Sequence, residues 1–217
     1  MTTGARSLVE RYVLPPEAIE LLSHKRVRAA IGDLGLPATD QAIVERMVYA
    51  AGDPSLAPLV HVHPDAAAAG LAALRTGCAI VCDVKMVTVA VSKEAAAVLG
   101  CTILCAIDDP AVVAAARAER LPRAVIAIRS LAPHLEGGIA VVGNAPTALL
   151  ALLDLVDAGA VRPALIIGTP VGFVAAAESK AELMARGVPY VTIEGTRGGS
   201  AVAAAASNAL LRLATGA

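Results

Sequence analysis

Gly138-Ile139-Ala140-Val141-Val142-Gly143-Asn144-Ala145-Pro146-Thr147-Ala148-Leu149-Leu150 is the stretch that decides the fold. Four apolar residues in a row read as a short strand covered on both faces, since a half-exposed strand would alternate. Gly143 turns the chain tightly. Pro146 then sits where a helix opens, because the first turn has no use for its missing N–H. The pattern is strand, polar corner, helix.

The same pattern recurs outward in both directions. Strand-like runs at 78–84, 102–107, 164–168 and 190–193 join the one at 138–143. Helical stretches at 92–99, 110–119, 123–135, 147–158, 174–186 and 200–213 lie between and after them. Strands separated by helices pair in parallel through right-handed crossovers. Upstream, Pro15-Pro16-Glu17 opens a helix with Ile19, Leu22, Val27 and Ala30 on one face. Thr39 and Asp40 are placed to cap a second helix that stops at Gly52-Asp53-Pro54, and Pro64-Asp65 begins a third. The expectation is one domain over 1–217: a three-layer α/β/α sandwich on a five-stranded parallel sheet, with a helical N-terminal arm. A chain of 217 residues fills one such core and falls short of two.

Composition narrows the function. Hydrophobic residues make up 57% of the chain and aromatics only 2%, so Ala, Val, Leu and Ile must build the core. The apolar runs are broken by Gly143, Asn144 and Pro146, and again by Pro170 and Gly172, so neither spans a bilayer of roughly 20 residues. A formal net charge of -1 offers no basic face for nucleic acid and no polybasic membrane anchor. The N-terminus lacks a secretory pattern, and Cys78, Cys82, Cys101 and Cys105 read as reduced thiols in apolar runs. The cytoplasm is the expected compartment. His61-Val62-His63 offers two imidazoles on one side of an extended segment but no third ligand at supporting spacing, so no metal site is expected.

Open parallel sheets bind ligands beyond the carboxyl ends of their strands. Two corners there have the residues for an anion. At Gly143-Asn144-Ala145-Pro146-Thr147, the Asn144 side chain or the N–H groups of the new helix can hold a carboxylate; an ordinary turn with Asn144 as cap fits equally well. At Arg197-Gly198-Gly199-Ser200, glycines admit a close ligand, Arg197 supplies a carboxylate fork and Ser200 caps the last helix. A capped helix with a solvated arginine is the plainer reading. Glu178 and Lys180 read as surface charges on their helix. No G-x-G-x-x-G follows a strand and no P-loop is present, which argues against nucleotide chemistry.

Taken together, several blocks resemble the precorrin-8X methylmutase family, called cobalt-precorrin-8 methylmutase in the anaerobic route. They are Gly143-Asn144-Ala145-Pro146-Thr147-Ala148-Leu149, Pro170-Val171-Gly172-Phe173-Val174, Ala177-Glu178-Ser179-Lys180, Arg197-Gly198-Gly199-Ser200-Ala201, His134-Leu135-Glu136-Gly137 and Cys82-Asp83-Val84-Lys85-Met86-Val87. The resemblance runs from about Ala18 to Leu210. It implies a flavodoxin-like fold, a homodimer and no separate cofactor, any cobalt belonging to the substrate. It also implies an isomerase that moves a methyl group from C-11 to C-12 of a tetrapyrrole, giving hydrogenobyrinic or cobyrinic acid in cobalamin biosynthesis. By position, Ser23, Arg46 and Arg123 match substrate-binding residues, and Asn144, Arg197 and Ser200 complete the expected cradle.

One position departs from the family. The stretch Arg46-Met47-Val48-Tyr49 carries tyrosine where the family places a histidine that donates and accepts the proton. Phenol, with an ordinary pKa of about 10, is a weaker acid at neutral pH than imidazole. Arg46 lies one helical turn before Tyr49, and a guanidinium there would favour the phenolate. Tyr49 is thus either the working acid or a packed wall residue. The alternative to an active isomerase is a corrinoid-binding relative without turnover. His24, beside Ser23 but turned from it by about 100°, is a minor candidate for the missing acid. All of this expects the glycine-rich corners and the N-terminal helices to share one pocket.

Overall fold

The structure, a computed structural model, describes residues 7–216. The chain opens with α1 (Leu8–Tyr12), α2 (Pro16–Ile31) and α3 (Ala38–Ala51), then a 3₁₀ turn at Pro54–Leu59. There follow β1 (Val60–Val62), α4 (Ala66–Arg75), β2 (Ala79–Cys82), α5 (Lys85–Ala90), α6 (Lys93–Val98), β3 (Thr102–Leu104), α7 (Pro110–Glu119) and α8 (Arg123–Ser130). A second 3₁₀ turn at Ala132–His134 leads to β4 (Ile139–Val142), α9 (Pro146–Asp157), β5 (Leu165–Gly168), α10 (Ala176–Met184), β6 (Tyr190–Ile193) and α11 (Ser200–Thr215).

All five expected strands form, and they pair in parallel. The sheet order is β1-β6-β5-β4-β2-β3. Counted among themselves, the parallel strands run 2-1-3-4-5, the order of one common doubly wound sheet, which places the switch point between β2 and β4. A sixth strand corrects the expected five: β1 runs antiparallel along β6, pairing Val60 with Ile193 and Val62 with Val191. With three residues before a proline it is too short to declare a period, yet it covers an edge that would otherwise stay open.

The sheet's two faces follow from the period of two. Ile80, Cys82, Ile139, Val141, Ile167, Val191 and Ile193 point to a core shared with α3, α4 and α11. Val81, Ala140, Val142 and Ile166 point the other way, to α8, α9 and α10. The N-terminal arm adds a layer on the first side. α3 buries Ile43, Val44, Met47 and Val48 against α11, while α2 lies outside α3 with no fully buried residue. A polar groove therefore runs between α2 and α3, with the end of α11 alongside. Thr39 and Asp40 do not cap α3, which starts at Ala38 after Pro37 without a side-chain cap bond. Of the two asparagines, Asn208 ties α11 to the α5–α6 junction, accepting from Ser92 N–H and donating to the Ala90 carbonyl. No helix among the described residues is long and apolar enough to cross a membrane.

Candidate functional site

At the switch point the helix-opening corner is already occupied by the chain itself. Asp83 follows the last residue of β2, its N–H still bonded to the Val141 carbonyl of β4, and its side chain meets the corner. Its carboxylate accepts from Gly143 N–H at 3.1 Å and from Asn144 and Ala145 N–H at 2.8 Å each. Asp83 is completely buried. Burial pushes its carboxyl up, while the N–H groups of Ala145, Gly143, Asn144 and Val84 pull it back. The corner thus holds a carboxylate as expected, but one supplied internally. Asn144 is not the cap of α9, a place that falls to Ala145, and its side chain makes no hydrogen bond to any described residue. A Cβ at Gly143 would stand 2.8 Å from Ser200 Cα, so this glycine exists to let α11 cross the turn.

The second corner is likewise turned inward. The close approach at Gly198 is to the chain's own Thr169 carbonyl, which a Cβ there would strike. Gly199 N–H donates to that same oxygen at 2.8 Å. Ser200 does not cap α11: it is the first helical residue, Gly199 takes the cap position, and the buried Ser200 hydroxyl has no partner among the described residues. Arg197 reaches Asp53 at 3.1 Å and donates to Ser55 Oγ at 2.9 Å, pinning the 3₁₀ turn after α3. Hydrogen bonds from the Ser55 hydroxyl and N–H, helped by Arg197, hold the Asp53 carboxyl below the usual range. Lys180 is not a surface charge. Its side chain is fully buried, its Nζ donates to the Arg197 carbonyl, and burial lowers its pKa to about 8.

The neutral Asn144 side chain and the Ser200 and Thr169 hydroxyls aside, the open polar groups lie in the α2–α3 groove. Arg46 on α3 places Nη1 3.3 Å from His24 Nε2 and 3.9 Å from Glu20, both on α2. Its Cζ lies 5.3 Å from the centre of the Tyr49 ring, so the guanidinium rides on the ring face and makes no hydrogen bond to the hydroxyl. The His24 ring stacks on Tyr49 from the α2 side, centroids 5.9 Å apart and planes within 13°. Arg212 of α11 donates to Glu20 at 2.6 Å. That hydrogen bond and the Arg212 charge, more than Arg46 and His24, lower the Glu20 carboxyl. Behind them Arg28 holds the buried Glu45 with two hydrogen bonds, at 2.9 and 3.1 Å. Burial raises the Glu45 carboxyl, but the bonds from Arg28 and Gln41 outweigh it.

Three clefts open along this groove. One, of about 230 Å³, is lined by His24, Glu45, Arg46 and Arg212; another, of about 540 Å³, by Leu21, His24, Lys25 and Arg28. A third, of about 380 Å³, takes Ser23, Arg26, Tyr49, Gly52 and Asp53. The stacked His24–Tyr49 pair forms the partition between them.

The structure therefore brings Ser23, Arg46 and Tyr49 to one groove and connects Arg197 to it from behind, through Asp53. Asn144 and Ser200 line none of these clefts. Arg123 opens α8 on the opposite face of the sheet, beside a separate hollow formed with Val113 and Arg117. In the single chain, then, the glycine-rich corners and the helical arm do not share one pocket, because the corners are closed by Asp83, Thr169 and Lys180. In the sequence His24 stands out little and Arg212 not at all. The spacing Glu20-x₃-His24 on a helix with no buried face is the available signal for the first; nothing in the sequence announces that the last turn of α11 reaches α2.

The precorrin-8X methylmutase family profile matches residues 18–213. A precorrin-8X methylmutase of Pseudomonas aeruginosa is 44% identical over 201 residues, covering 92% of this chain and 96% of that one. A cobalt-precorrin-8 methylmutase of Priestia megaterium is 40% identical over 199 residues, covering 92% and 88%. Among solved structures, the precorrin-8X methylmutase of Thermus thermophilus superposes with a TM-score of 0.85 at 37% identity, over 92% of this chain and 97% of that one. A match that starts in the α2 helix, crosses all six strands and runs into the last turns of α11 shows that the chain belongs to the precorrin-8X methylmutase family.

Proposed function

We propose that this chain is an isomerase of cobalamin biosynthesis that moves a methyl group from C-11 to C-12 of precorrin-8X or cobalt-precorrin-8. The observation that carries this reading is an arginine-lined groove, with clefts partitioned by a stacked aromatic pair, inside a chain that matches the methylmutase family over residues 18–213. A corrin ring edged with carboxylates needs cationic forks around flat apolar surface. Arg46 and Arg212 are the forks, and the Tyr49 and His24 rings are the flat wall. Ser23, whose hydroxyl donates to the Ile19 carbonyl at 2.7 Å, lines the Tyr49 cleft and still has an oxygen able to accept.

In this reading the Tyr49 hydroxyl hydrogen-bonds the ring as the methyl group moves. Arg197 keeps that cleft in shape by tying down Asp53. The protein supplies no cofactor of its own, and cobalt, where present, arrives in the substrate. A cytoplasmic homodimer belongs to the same proposal, with Phe173 (93% exposed) and Val174 as apolar surface for a second copy to cover.

Purified protein mixed with precorrin-8X or cobalt-precorrin-8 at large substrate excess tests the reading. Conversion of the visible spectrum to that of the product is expected at substoichiometric protein. Saturation at one ring per site without conversion would contradict it.

A further inference from the structure

The groove holds an imidazole whose protonation pattern is dictated by its neighbours. An arginine guanidinium carries only donors. At 3.3 Å from Arg46 Nη1, His24 Nε2 must therefore present a lone pair. The competing neighbour is Glu20, which would ask for a proton on the same nitrogen. It stands 3.7 Å away, beyond hydrogen-bond range, and its oxygen is already engaged by Arg212 at 2.6 Å. The donor contact decides. The ring's proton is then on Nδ1, and Nδ1 has no partner among the described residues. The imidazole is held flat by Tyr49 on one side, its side chain is 32% exposed, and it lines the first two of the three clefts.

We infer that His24 is a substrate-positioning residue whose Nδ1–H donates a hydrogen bond to a carboxylate on the rim of the ring. The inference rests on the methylmutase reading for the identity of the ligand and on geometry alone for the tautomer. Arg46 plays two parts: it offers charge to the ligand and it fixes which His24 nitrogen can donate. The order of recognition follows. Arginine side chains gather a polycarboxylate without discriminating between its edges, whereas one Nδ1–H fixed against a tyrosine face donates to a carboxylate in only one place. His24 thus sets the orientation of the ring in the groove.

Two measurements test this. In free protein labelled with ¹⁵N, long-range proton–nitrogen correlation at about pH 8 should show His24 with a protonated-type Nδ1 and an unprotonated-type Nε2, assigned by the loss of its signals in H24N. The opposite tautomer overturns the inference whatever the ligand is. For binding, absorbance titration with hydrogenobyrinic acid compares three variants. Asparagine places its amide N–H near the position of Nδ1, whereas glutamine reaches the position of Nε2. H24N should stay within about threefold of wild type, while H24Q and H24F should lose about tenfold. Equal losses in all three, or none, overturn the inference. Wild-type protein that neither binds nor converts the ring would instead sink the methylmutase reading, and the tautomer result would still stand or fall separately.

Discussion

At the carboxyl rim of the sheet, Asp83 commits its carboxylate to three backbone N–H groups, Arg197 commits its guanidinium to Asp53 and Ser55, and Lys180 donates to a main-chain carbonyl. In the α2–α3 groove, Arg46 keeps a buried Nε with no partner among the described residues, His24 keeps an open ring nitrogen, and Arg212 meets only a half-exposed carboxylate. Both regions use arginine, carboxylate and glycine-permitted turns. At the rim Asp83, Arg197 and Lys180 are committed internally, leaving only the neutral Asn144 side chain and the Ser200 and Thr169 hydroxyls unpaired among the described residues, whereas the groove keeps cationic and imidazole groups open. A turn with the chemistry of an anion site binds an external anion only if the protein does not bring its own, and the switch point of this sheet is filled by Asp83. Substitutions at the rim should therefore cost stability, and substitutions in the groove should cost ligand binding or turnover.

The largest expected effect is at the rim. Asp83→Ala leaves three N–H groups without their acceptor, next to the crossing of α11, and should lower stability by about 3 kcal/mol or more. For a chain of this size that is a fall in Tm of about 6–12 °C in a thermal melt. A loss below about 1 kcal/mol would mean that the corner is free to bind something else.

Lys180 sharpens the same point through pH. Burial holds its pKa at about 8, below the ordinary 10.5. Between those values the unfolded chain keeps a proton that the folded chain has released, so this group makes stability rise with pH across that window. Its penalty is present in full below about pH 8. The thiols of half-buried Cys78 and buried Cys82, pushed up to about 12 from 9.0, act in the opposite sense, because the folded chain keeps their protons longer. Denaturant titrations of wild type beside Lys180→Met remove the thiols from the difference. Relative to the variant, wild type should gain up to about 3 kcal/mol between pH 8 and 10.5. Parallel curves would show that the lysine is not sealed in.

In the groove, Arg46→Ala removes a charged fork and the group that orients His24. Ring affinity should fall about tenfold or more in an absorbance titration, with little change in melting. Arg123→Ala, on the other face, should weaken binding less. Equal losses would mean that a second copy carries Arg123 to this groove, and the contrast between rim and groove would then need the assembled oligomer. The smallest effect is expected for Tyr49→Phe. Losing one hydroxyl contact should slow turnover by up to about tenfold while affinity holds, as kcat and KM measured by visible spectra would show. Unchanged kcat would leave Tyr49 only its ring face.

What can be read from the sequence follows the range of the interactions. The strand–corner–helix pattern around Gly143 is local, and it delivers all five parallel strands and, α5 apart, the helices between them. Strand β1 escapes because three residues before a proline carry no period, and α5 because a helix of six residues carries scarcely more. Among candidate residues, Arg46, Tyr49 and Ser23 lie on two adjacent helices, and their meeting is legible from spacing together with family resemblance. That Asp83 fills the turn at 143–145, sixty residues on, depends on which strands become neighbours. That Arg212 reaches Glu20 depends on how α11 lies along the arm. Lys180 reads as a surface charge for the same reason: its helix carries several charges, and only the fold decides which of them is sealed behind the Arg197 carbonyl.

Backbone hydrogen exchange with and without saturating hydrogenobyrinic acid tests most directly where the molecule does its work. Slowed exchange should appear in peptides covering 20–28, 42–52 and 207–214, with little change at 83–90 and 143–147. Protection confined to those last two segments would put the ligand at the sheet's switch point and contradict the assignment of binding to the α2–α3 groove.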